Sequence, residues 1–220
     1  MTTKKPYTVI ILCGQSGTGK SSIAETYRKR FPERVRVIDA RKIVKDAYAM
    51  IIKTPIPSFS HSDAFKEAYK DDDGDIVTFG QALDDFYFST RFCSPKWYIW
   101  VANVKAEMDE ASKDAKEELT FIIDDVPNFD ECQFLLAEAK CGVVVSVEGF
   151  PGKYERLQTE RQTYNTINDI AERVTTKLDS SKRRKENFDQ RMFRLANELE
   201  KIEKSLSARP AAASTSSTTK

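Results

Sequence analysis

Short apolar runs alternate with stretches of helical spacing through the N-terminal part of the chain. Arg34 to Ile38 alternates polar and apolar residues, as in a strand, and three apolar runs are rich in β-branched residues and short enough to be strands: Tyr7 to Cys13, Leu119 to Ile123 and Val143 to Val147. Helical spacing predicts helices over Gly19 to Arg30, Asp39 to Ile52, Ser62 to Lys70, Phe79 to Arg91, Ser94 to Met108 and Asp130 to Lys140. Continuously apolar strands that alternate with helices predict an α/β domain with a parallel sheet covered on both faces.

The pattern changes after Pro151, where the chain becomes highly charged. Apolar residues recur there at helical spacing, which predicts a long amphipathic helix or a pair of helices: Ile167, Ile170, Val174 and Leu178, then Phe188, Met192 and Leu195. From about Ala208 to Lys220 the chain lacks the apolar residues that would offset the cost of ordering, so a disordered tail is predicted. The predicted organisation is a core over residues 1–151, a charged helical extension over 152–207 and a tail over 208–220.

Composition and charge narrow the classes of function. The chain has 220 residues, of which 40% are hydrophobic, enough to bury the core of one domain. Its 35 basic residues nearly cancel its 34 acidic ones, so no broad positive surface for nucleic acid is expected, and any nucleic-acid contact would have to be local. The basic cluster Lys182 to Lys185 is interpreted as a solvated face.

The compartment is predicted from the absence of two kinds of segment. No opening segment has the pattern of a signal peptide, and no apolar run has the length of a membrane span. The four cysteines lack the spacing of metal ligands, and reduced thiols are expected. We therefore expect a soluble, cytoplasmic protein without membrane contact. A homodimer is one arrangement that the sequence allows.

A glycine-rich turn follows the first predicted strand. Residues 14–21 are G-Q-S-G-T-G-K-S, which match the pattern G-x-x-x-x-G-K-[ST] between a strand and a helix. In such a loop the backbone N–H groups and the N-terminus of the next helix bind phosphate oxygens. The expected nucleotide-binding residues are Gly14, Gln15, Ser16, Gly17, Thr18, Gly19, Lys20, Ser21 and Ser22.

Two residues of this loop have expected individual roles. Lys20 is expected to reach the β and γ phosphates, and the Ser21 hydroxyl to bind Mg²⁺, which bridges those phosphates. The sequence thus predicts the P-loop NTPase fold, with ATP and Mg²⁺ as cofactors.

Carboxylates end two further predicted strands. Asp124 and Asp125 follow Thr120 to Ile123, the form expected of the acidic partner that holds Mg²⁺ near a phosphate loop. Asp39 ends the second strand and is a rival for that role or for substrate binding. Because the carboxyl ends of parallel strands share one edge of a sheet, these acids and the phosphate loop should lie together. Lys20, Asp124, Asp125 and Asp39 are the predicted catalytic residues.

Over roughly Val9 to Glu148 the chain resembles the deoxynucleoside monophosphate kinases of bacteriophages and related viral P-loop kinases. Besides the phosphate loop, the resemblance rests on short matches in family order: Lys45-Asp46-Ala47, Gln81-Ala82-Leu83 followed by Trp97, Asp125-Val126 with Glu131, and the strand Val143 to Val147. The family usually has an arginine two residues after the aspartate, where this chain has Pro127. Arg91, Arg156 and Arg161 are candidates for the missing cation.

The resemblance implies a viral enzyme of nucleotide metabolism, active in the host cytoplasm. It would transfer the γ-phosphoryl group of ATP to a (deoxy)nucleoside monophosphate. The acceptor would lie between the segment that contains Asp39, Arg41 and Lys45 and the helices that contain Gln81, Arg91 and Trp97. Gln81 would contact a base edge, and Trp97 either packs under the base or belongs to the core. Arg156 or Arg161 would close over the phosphates unless they belong to a charged surface helix.

Two other functions remain open from the sequence. One is a P-loop kinase that phosphorylates a hydroxyl of a small molecule or of a modified base in DNA, and Pro127 in place of the family arginine suits that alternative. The other is an ATP-binding regulatory or assembly protein with little kinase activity, which would use the charged C-terminal helix to bind partners.

Overall fold

The computed structural model describes residues 5–14, 18–39, 46, 68–70, 76–78, 97–124, 126, 129–137, 139–149, 173–181, 183 and 185–208. In chain order the elements are β1 (Lys5–Cys13), α1 (Lys20–Arg30), β2 (Val35–Asp39), β3 (Ala68–Lys70), β4 (Ile76–Thr78), α2 (Trp97–Lys113), β5 (Leu119–Asp124), α3 (Phe129–Leu136), β6 (Ala139–Glu148), β7 (Thr176–Asp179) and α4 (Phe188–Ser207). Among these elements, no helix combines the length and the apolar composition required to cross a bilayer.

The main sheet has five strands in the order β2-β5-β1-β6-β7, and every pairing in it is parallel. A separate antiparallel pair is formed by β3 and β4. Because the five strands run in one direction, their carboxyl ends lie along one edge, which holds Cys13, Asp39, Asp124, Glu148 and Asp179. The neighbouring strands β1, β5 and β2 bring the phosphate loop and two of the predicted acids side by side along that edge.

Helices cover both faces of the sheet, which confirms the predicted fold class. In β1, Val9 and Ile11 point to one face and are buried in a cluster with residues of α2 and α3. Ile10 and Leu12 point to the other face and are buried with residues of α1 and α4. A strand buried on both sides needs apolar residues at every position, which is why β1 is apolar throughout its centre rather than alternating.

Several predicted helix bounds are corrected. The helix predicted over Asp130 to Lys140 ends at Leu136, and Ala139 begins β6, so the strand predicted over Val143 to Val147 is longer than expected. The helix predicted over Ser62 to Lys70 is wrong for Ala68–Lys70, which pair with β4. Predicted helices over Asp39 to Ile52 and Phe79 to Arg91 lie outside the described residues, except that Asp39 ends β2 and Asp46 is helical.

The largest correction concerns the charged C-terminal segment. Helical spacing was predicted through Leu178, but Thr176–Asp179 form β7, which pairs with β6. Val174 and Leu178 are buried, while Thr175 and Lys177 are exposed, which is the alternation of a strand. The domain boundary at residue 152 stays a prediction, although the sheet includes a strand from beyond it. The predicted tail lies outside the described residues apart from Ala208.

The predicted C-terminal helix is present as α4, and its start is well specified. Asn187 is the N-cap and forms a capping box with Gln190, whose backbone N–H donates to the Asn187 side chain at 2.8 Å. Such boxes satisfy amides that lack partners within the helix. One side of α4 is buried against α1 and the sheet through Met192, Leu195, Ala196 and Leu199.

A buried carboxylate fixes the C-terminal end of α4. Glu203 is 4% exposed and accepts hydrogen bonds from the Tyr27 and Thr120 hydroxyls and from Arg34, whose Nη2 lies 2.9 Å from Oε2. Burial raises the pKa of Glu203, but Arg34, Thr120 and Tyr27 outweigh burial and hold it below its usual value. The carboxylate therefore stays ionised and ties α4 to α1 and to the starts of β2 and β5.

Candidate phosphate-binding site

Two glycines with positive φ bound the turn between β1 and α1. Gly14 has φ +142° and Gly19 has φ +91°, a region that L side chains rarely adopt. A Cβ on Gly14 would lie 2.4 Å from the Val147 carbonyl oxygen, so β6 leaves no room for a side chain. Gly19 is the N-cap of α1 in the left-handed conformation. Both ends of the predicted loop thus need glycine; Gln15, Ser16 and Gly17 lie outside the described residues.

The N-terminus of α1 faces this loop. Gly19 supplies no side-chain hydrogen bond to the helix, and the first turn contains no acidic residue. The first N–H groups of a helix have no partner within it and carry partial positive charge, so they favour an anion. This helix end is suited to phosphate.

Lys20 is held close to the loop. Its side chain is 8% exposed, and Nζ donates a hydrogen bond to the Gly14 carbonyl oxygen at 2.8 Å. The ammonium group therefore lies over the same turn whose backbone would surround phosphate oxygens. An ammonium at this place can offset the charge of a bound polyphosphate, as predicted for Lys20.

Ser21 and Asp124 form a pair beside the lysine. The Ser21 hydroxyl donates to Asp124 Oδ2 at 2.7 Å, and Asp124 is 3% exposed at the end of β5. A hydroxyl and a carboxylate oxygen are hard donors that suit Mg²⁺, which takes one or two protein ligands and fills its shell with phosphate oxygens and water. In the described part of the chain no cluster of three His, Cys, Asp or Glu side chains that could hold a metal ion occurs.

Asp39 lies next to Asp124 along the sheet edge. The two residues are register partners on the adjacent strands β2 and β5, whose backbones are about 4.8 Å apart. Asp39 is exposed, whereas Asp124 is buried. One carboxylate therefore faces the protein interior beside Ser21, and the other is accessible to a molecule above the sheet.

The structure brings together part of the predicted site. Lys20, Ser21, Asp124 and Asp39 share the edge with the described loop residues Gly14, Thr18, Gly19 and Ser22. The other predicted residues lie outside the described residues: Gln15, Ser16, Gly17, Arg41, Lys45, Gln81, Arg91, Asp125, Arg156 and Arg161. Trp97 begins α2, but its side chain is not among those described.

The cysteine before the loop is buried in the core. Burial raises the pKa of Cys13 to about 11, against a smaller lowering by Lys20. Its Sγ donates to the Val145 carbonyl oxygen at 3.4 Å. Because the thiolate is the reactive form, a neutral buried thiol is inert at neutral pH, in agreement with the reduced core thiol predicted from the sequence.

A residue of α4 reaches the loop, and sequence analysis did not assign it there. The Met192 side chain is buried, and its Cε and Sδ lie 3.5 Å and 3.9 Å from the position that a Cβ on Gly19 would occupy. The sequence marked Met192 only as a buried position of an amphipathic helix. Helical spacing identifies a buried face but carries no information on which element that face contacts.

Comparisons with known proteins give a distant structural likeness. Shikimate kinase from Aquifex aeolicus is 12% identical, with 91% of this chain and 99% of that chain covered and a TM-score of 0.45. A sugar kinase from Janibacter sp. is 14% identical over 88% and 94%, with a TM-score of 0.44. A gluconokinase from Sinorhizobium meliloti is 11% identical over 93% and 97%, with a TM-score of 0.41.

No family model and no curated protein matches the chain. The resemblance to viral nucleoside monophosphate kinases stays a prediction. The fold assignment rests on the chain's own strand order and on the position of its phosphate loop.

Proposed function

We propose that the chain is a phosphotransferase that uses Mg²⁺-bound ATP. The observation that carries this proposal is the position of Lys20 and of the Ser21–Asp124 pair at the N-terminus of α1. The chain's own groups would bind the triphosphate by neutralising its charge and orienting its terminal phosphate. Mg²⁺, held through Ser21 and Asp124, would offset the charge that develops on the transferring phosphoryl group.

A hydroxyl acceptor suits the described site best. A hydroxyl must lose its proton as its oxygen bonds to the γ phosphorus, while the bond from that phosphorus to the leaving ADP oxygen breaks. Asp39 is an exposed carboxylate next to Asp124, where it would accept the hydroxyl proton. The products are ADP and a phosphate monoester of a small molecule.

A nucleoside monophosphate is the second candidate acceptor. It is favoured by the order of short matches around Gln81 and Trp97, which resembles viral monophosphate kinases. Such an acceptor is an anion at neutral pH, so it needs cations near Asp39 rather than a base. The cations predicted for that task are Arg41, Lys45, Arg91, Arg156 and Arg161, all outside the described residues.

An ADP-release assay with Mg²⁺ and ATP tests the proposal. Acceptors are presented singly: a panel of small polyhydroxylated acids and sugars, and each ribonucleoside and deoxynucleoside monophosphate. Lys20→Ala is the control for the loop, and Asp39→Asn separates the two candidates. With a hydroxyl acceptor, Asp39→Asn should slow transfer by about 100-fold, since a general base contributes 10²–10⁴-fold. With a monophosphate acceptor the same variant should retain most activity.

Two outcomes count against the proposal. If ADP release is slow and indifferent to every acceptor, small molecules are not the acceptors, and the alternatives that remain are a modified base in DNA and an ATP-binding regulatory or assembly role. If acceptor-dependent release survives in Lys20→Ala, the phosphate loop is not the donor site.

A further inference from the structure

The C-terminal helix α4 brings the Met192 side chain near the N-terminus of α1, where both helices share a buried cluster. Met192 is 3% exposed, and its terminal methyl group lies 3.5 Å from the position that a Cβ on Gly19, the residue that precedes Lys20, would occupy. Gly19 has φ +91° and starts α1, so its backbone sets the direction in which the first amides of that helix point. The neighbour of this glycine on the α4 side is thus a flexible, apolar side chain from a distant part of the sequence.

The N-terminal half of α4 is tied to the same edge of the sheet. Arg194 is 13% exposed in its side chain and pairs with Glu186 at 2.9 Å. It also donates to the Asp179 and Ser181 carbonyl oxygens, both at 3.1 Å, which lie at the end of β7. Arg194 therefore anchors the first turns of α4 to the edge that holds the phosphate loop.

The C-terminal half of α4 is anchored at the opposite edge. Glu203 binds Arg34 and Thr120 at the starts of β2 and β5. With one anchor at each edge, α4 cannot slide along the sheet without breaking ionic contacts that are largely shielded from water. Met192 lies two residues before the Arg194 anchor, on the part of α4 that is tied to the carboxyl edge of the sheet.

We infer that Met192 is a positioning residue for the phosphate loop, so that docking of α4 and binding of the nucleotide are coupled. Packed interiors transmit small displacements because they contain few voids. A cavity at Met192 would loosen the packing between α4 and the first turns of α1, and with it the position of the N-terminal amides of α1 and of Lys20. The inference rests on nucleotide binding as proposed above and concerns a residue that touches neither phosphate nor acceptor.

Titration calorimetry with a non-hydrolysable ATP analogue and Mg²⁺ tests the coupling. The variants are Met192→Ala, Met192→Leu and Leu199→Ala. Leu199 is fully buried in the same cluster and on the same helix, but two turns further along, so it controls for lost packing alone. We expect Met192→Ala to weaken the Kd about tenfold, a typical magnitude for coupling between sites. Met192→Leu should restore binding to within about twofold, because the two side chains have similar volume.

Leu199→Ala should lower the melting temperature as much as Met192→Ala does but leave the Kd within about twofold of the original chain. Equal Kd values for Met192→Ala and Leu199→Ala would overturn the inference while leaving the proposed function intact. If the unsubstituted chain does not bind the analogue, the proposed function and the inference about Met192 are both wrong. Lys20→Ala should abolish binding and confirms that the titration reports on the loop.

Hydrogen exchange on the unsubstituted chain tests the same coupling without a variant that must fold. Because coupling between sites is reciprocal, bound nucleotide should stabilise the docked N-terminal half of α4. Amides of residues 190–195 should then exchange more slowly with the analogue present, and those of residues 200–206 should change less. Identical exchange of residues 190–195 with and without the analogue would contradict the inference.

Discussion

The two edges of the sheet each hold a buried carboxylate that accepts a hydrogen bond from a hydroxyl, and they differ in what surrounds it. At the carboxyl edge, Asp124 lies beside Ser21 and a loop that is bounded by glycines of positive φ. At the amino edge, Glu203 is held by Arg34 and by two hydroxyls. The first arrangement places oxygen ligands at a helix N-terminus, and the second neutralises a charge within the fold.

This difference separates the proposed phosphate-binding site from a structural ion pair. Near Asp124 the elements that meet are the loop, the N-terminus of α1 and the exposed Asp39, all of which face an edge where a ligand can sit. Near Glu203 the partner is a cation of the protein itself, and the pair joins elements 169 residues apart. Substitutions at the two edges should therefore have opposite effects on stability and catalysis.

The largest expected effect is on stability, at the amino edge. Glu203→Ala leaves the Arg34 guanidinium and two hydroxyls without their shared acceptor, and should lower the free energy of unfolding by about 3–5 kcal/mol. Urea denaturation measures the change. The control is Glu25→Ala, whose carboxylate is 42% exposed in its pair with Arg28 and should cost at most about 1 kcal/mol. Similar losses for the two variants would mean that the Glu203 network does not hold α4.

Lys20→Ala should have the largest effect on catalysis. Removing one charged donor from a site that stabilises developing charge costs about 100-fold in kcat. ADP release in the presence of the identified acceptor measures it. Lys29→Ala, on the same helix with 71% of its side chain exposed, is the matched control and should leave kcat unchanged. Comparable activity of Lys20→Ala and Lys29→Ala would show that Lys20 takes no part in catalysis.

Asp124→Asn should change the requirement for Mg²⁺. The amide keeps the shape of the carboxylate but removes its charge beside Ser21, so the Mg²⁺ concentration for half-maximal activity should rise about tenfold. A Mg²⁺ titration of ADP release measures the shift. Asp39→Asn should leave that concentration unchanged, because Asp39 is assigned to the acceptor. A shift of equal size in both variants would show that the two carboxylates share the metal.

The smallest expected effect is on the pH dependence of stability. The folded-state pKa of Glu203 is below its usual value of 4.5, so its contribution is present above about pH 4.5 and is lost as pH falls through the folded-state pKa. Glu203→Gln should therefore lose less stability than the original chain between pH 7 and about pH 3. The pKa values of Asp179 and Glu186 are also lowered, so the stability of the variant still falls to some extent as the pH decreases. If stability changes equally with pH in Glu203→Gln and in the original chain, the lowered pKa is not that of Glu203.

The sequence predicted the centre of the sheet and the place of the glycine-rich turn between β1 and α1 because their signals are local. β1 and β5 are buried on both faces and are therefore continuous apolar runs, and the loop motif is contiguous between a strand and a helix. The proximity of Asp39 and Asp124 could also be predicted, because each ends a strand and parallel strands place their carboxyl ends together.

The rest depended on contacts that periodicity does not encode. Val174 and Leu178 are four residues apart, a spacing that suits one face of a helix and also every second position of a strand, so β7 was taken for helix. Met192 and Gly19 meet only because α4 packs on α1, and Arg34 and Glu203 are likewise distant in sequence. The acceptor residues Gln81 and Arg156 stay predictions.

A side-by-side assay of Lys20→Ala and Glu203→Gln tests the central claim most directly, at a temperature at which both variants are folded. Melting temperature and acceptor-dependent ADP release are measured for each. The account predicts that Lys20→Ala keeps its stability and loses phosphoryl transfer, whereas Glu203→Gln loses stability and keeps transfer. Phosphoryl transfer that is retained in Lys20→Ala, or lost in folded Glu203→Gln, would contradict the claim that the carboxyl edge of the sheet serves catalysis and the amino edge serves stability.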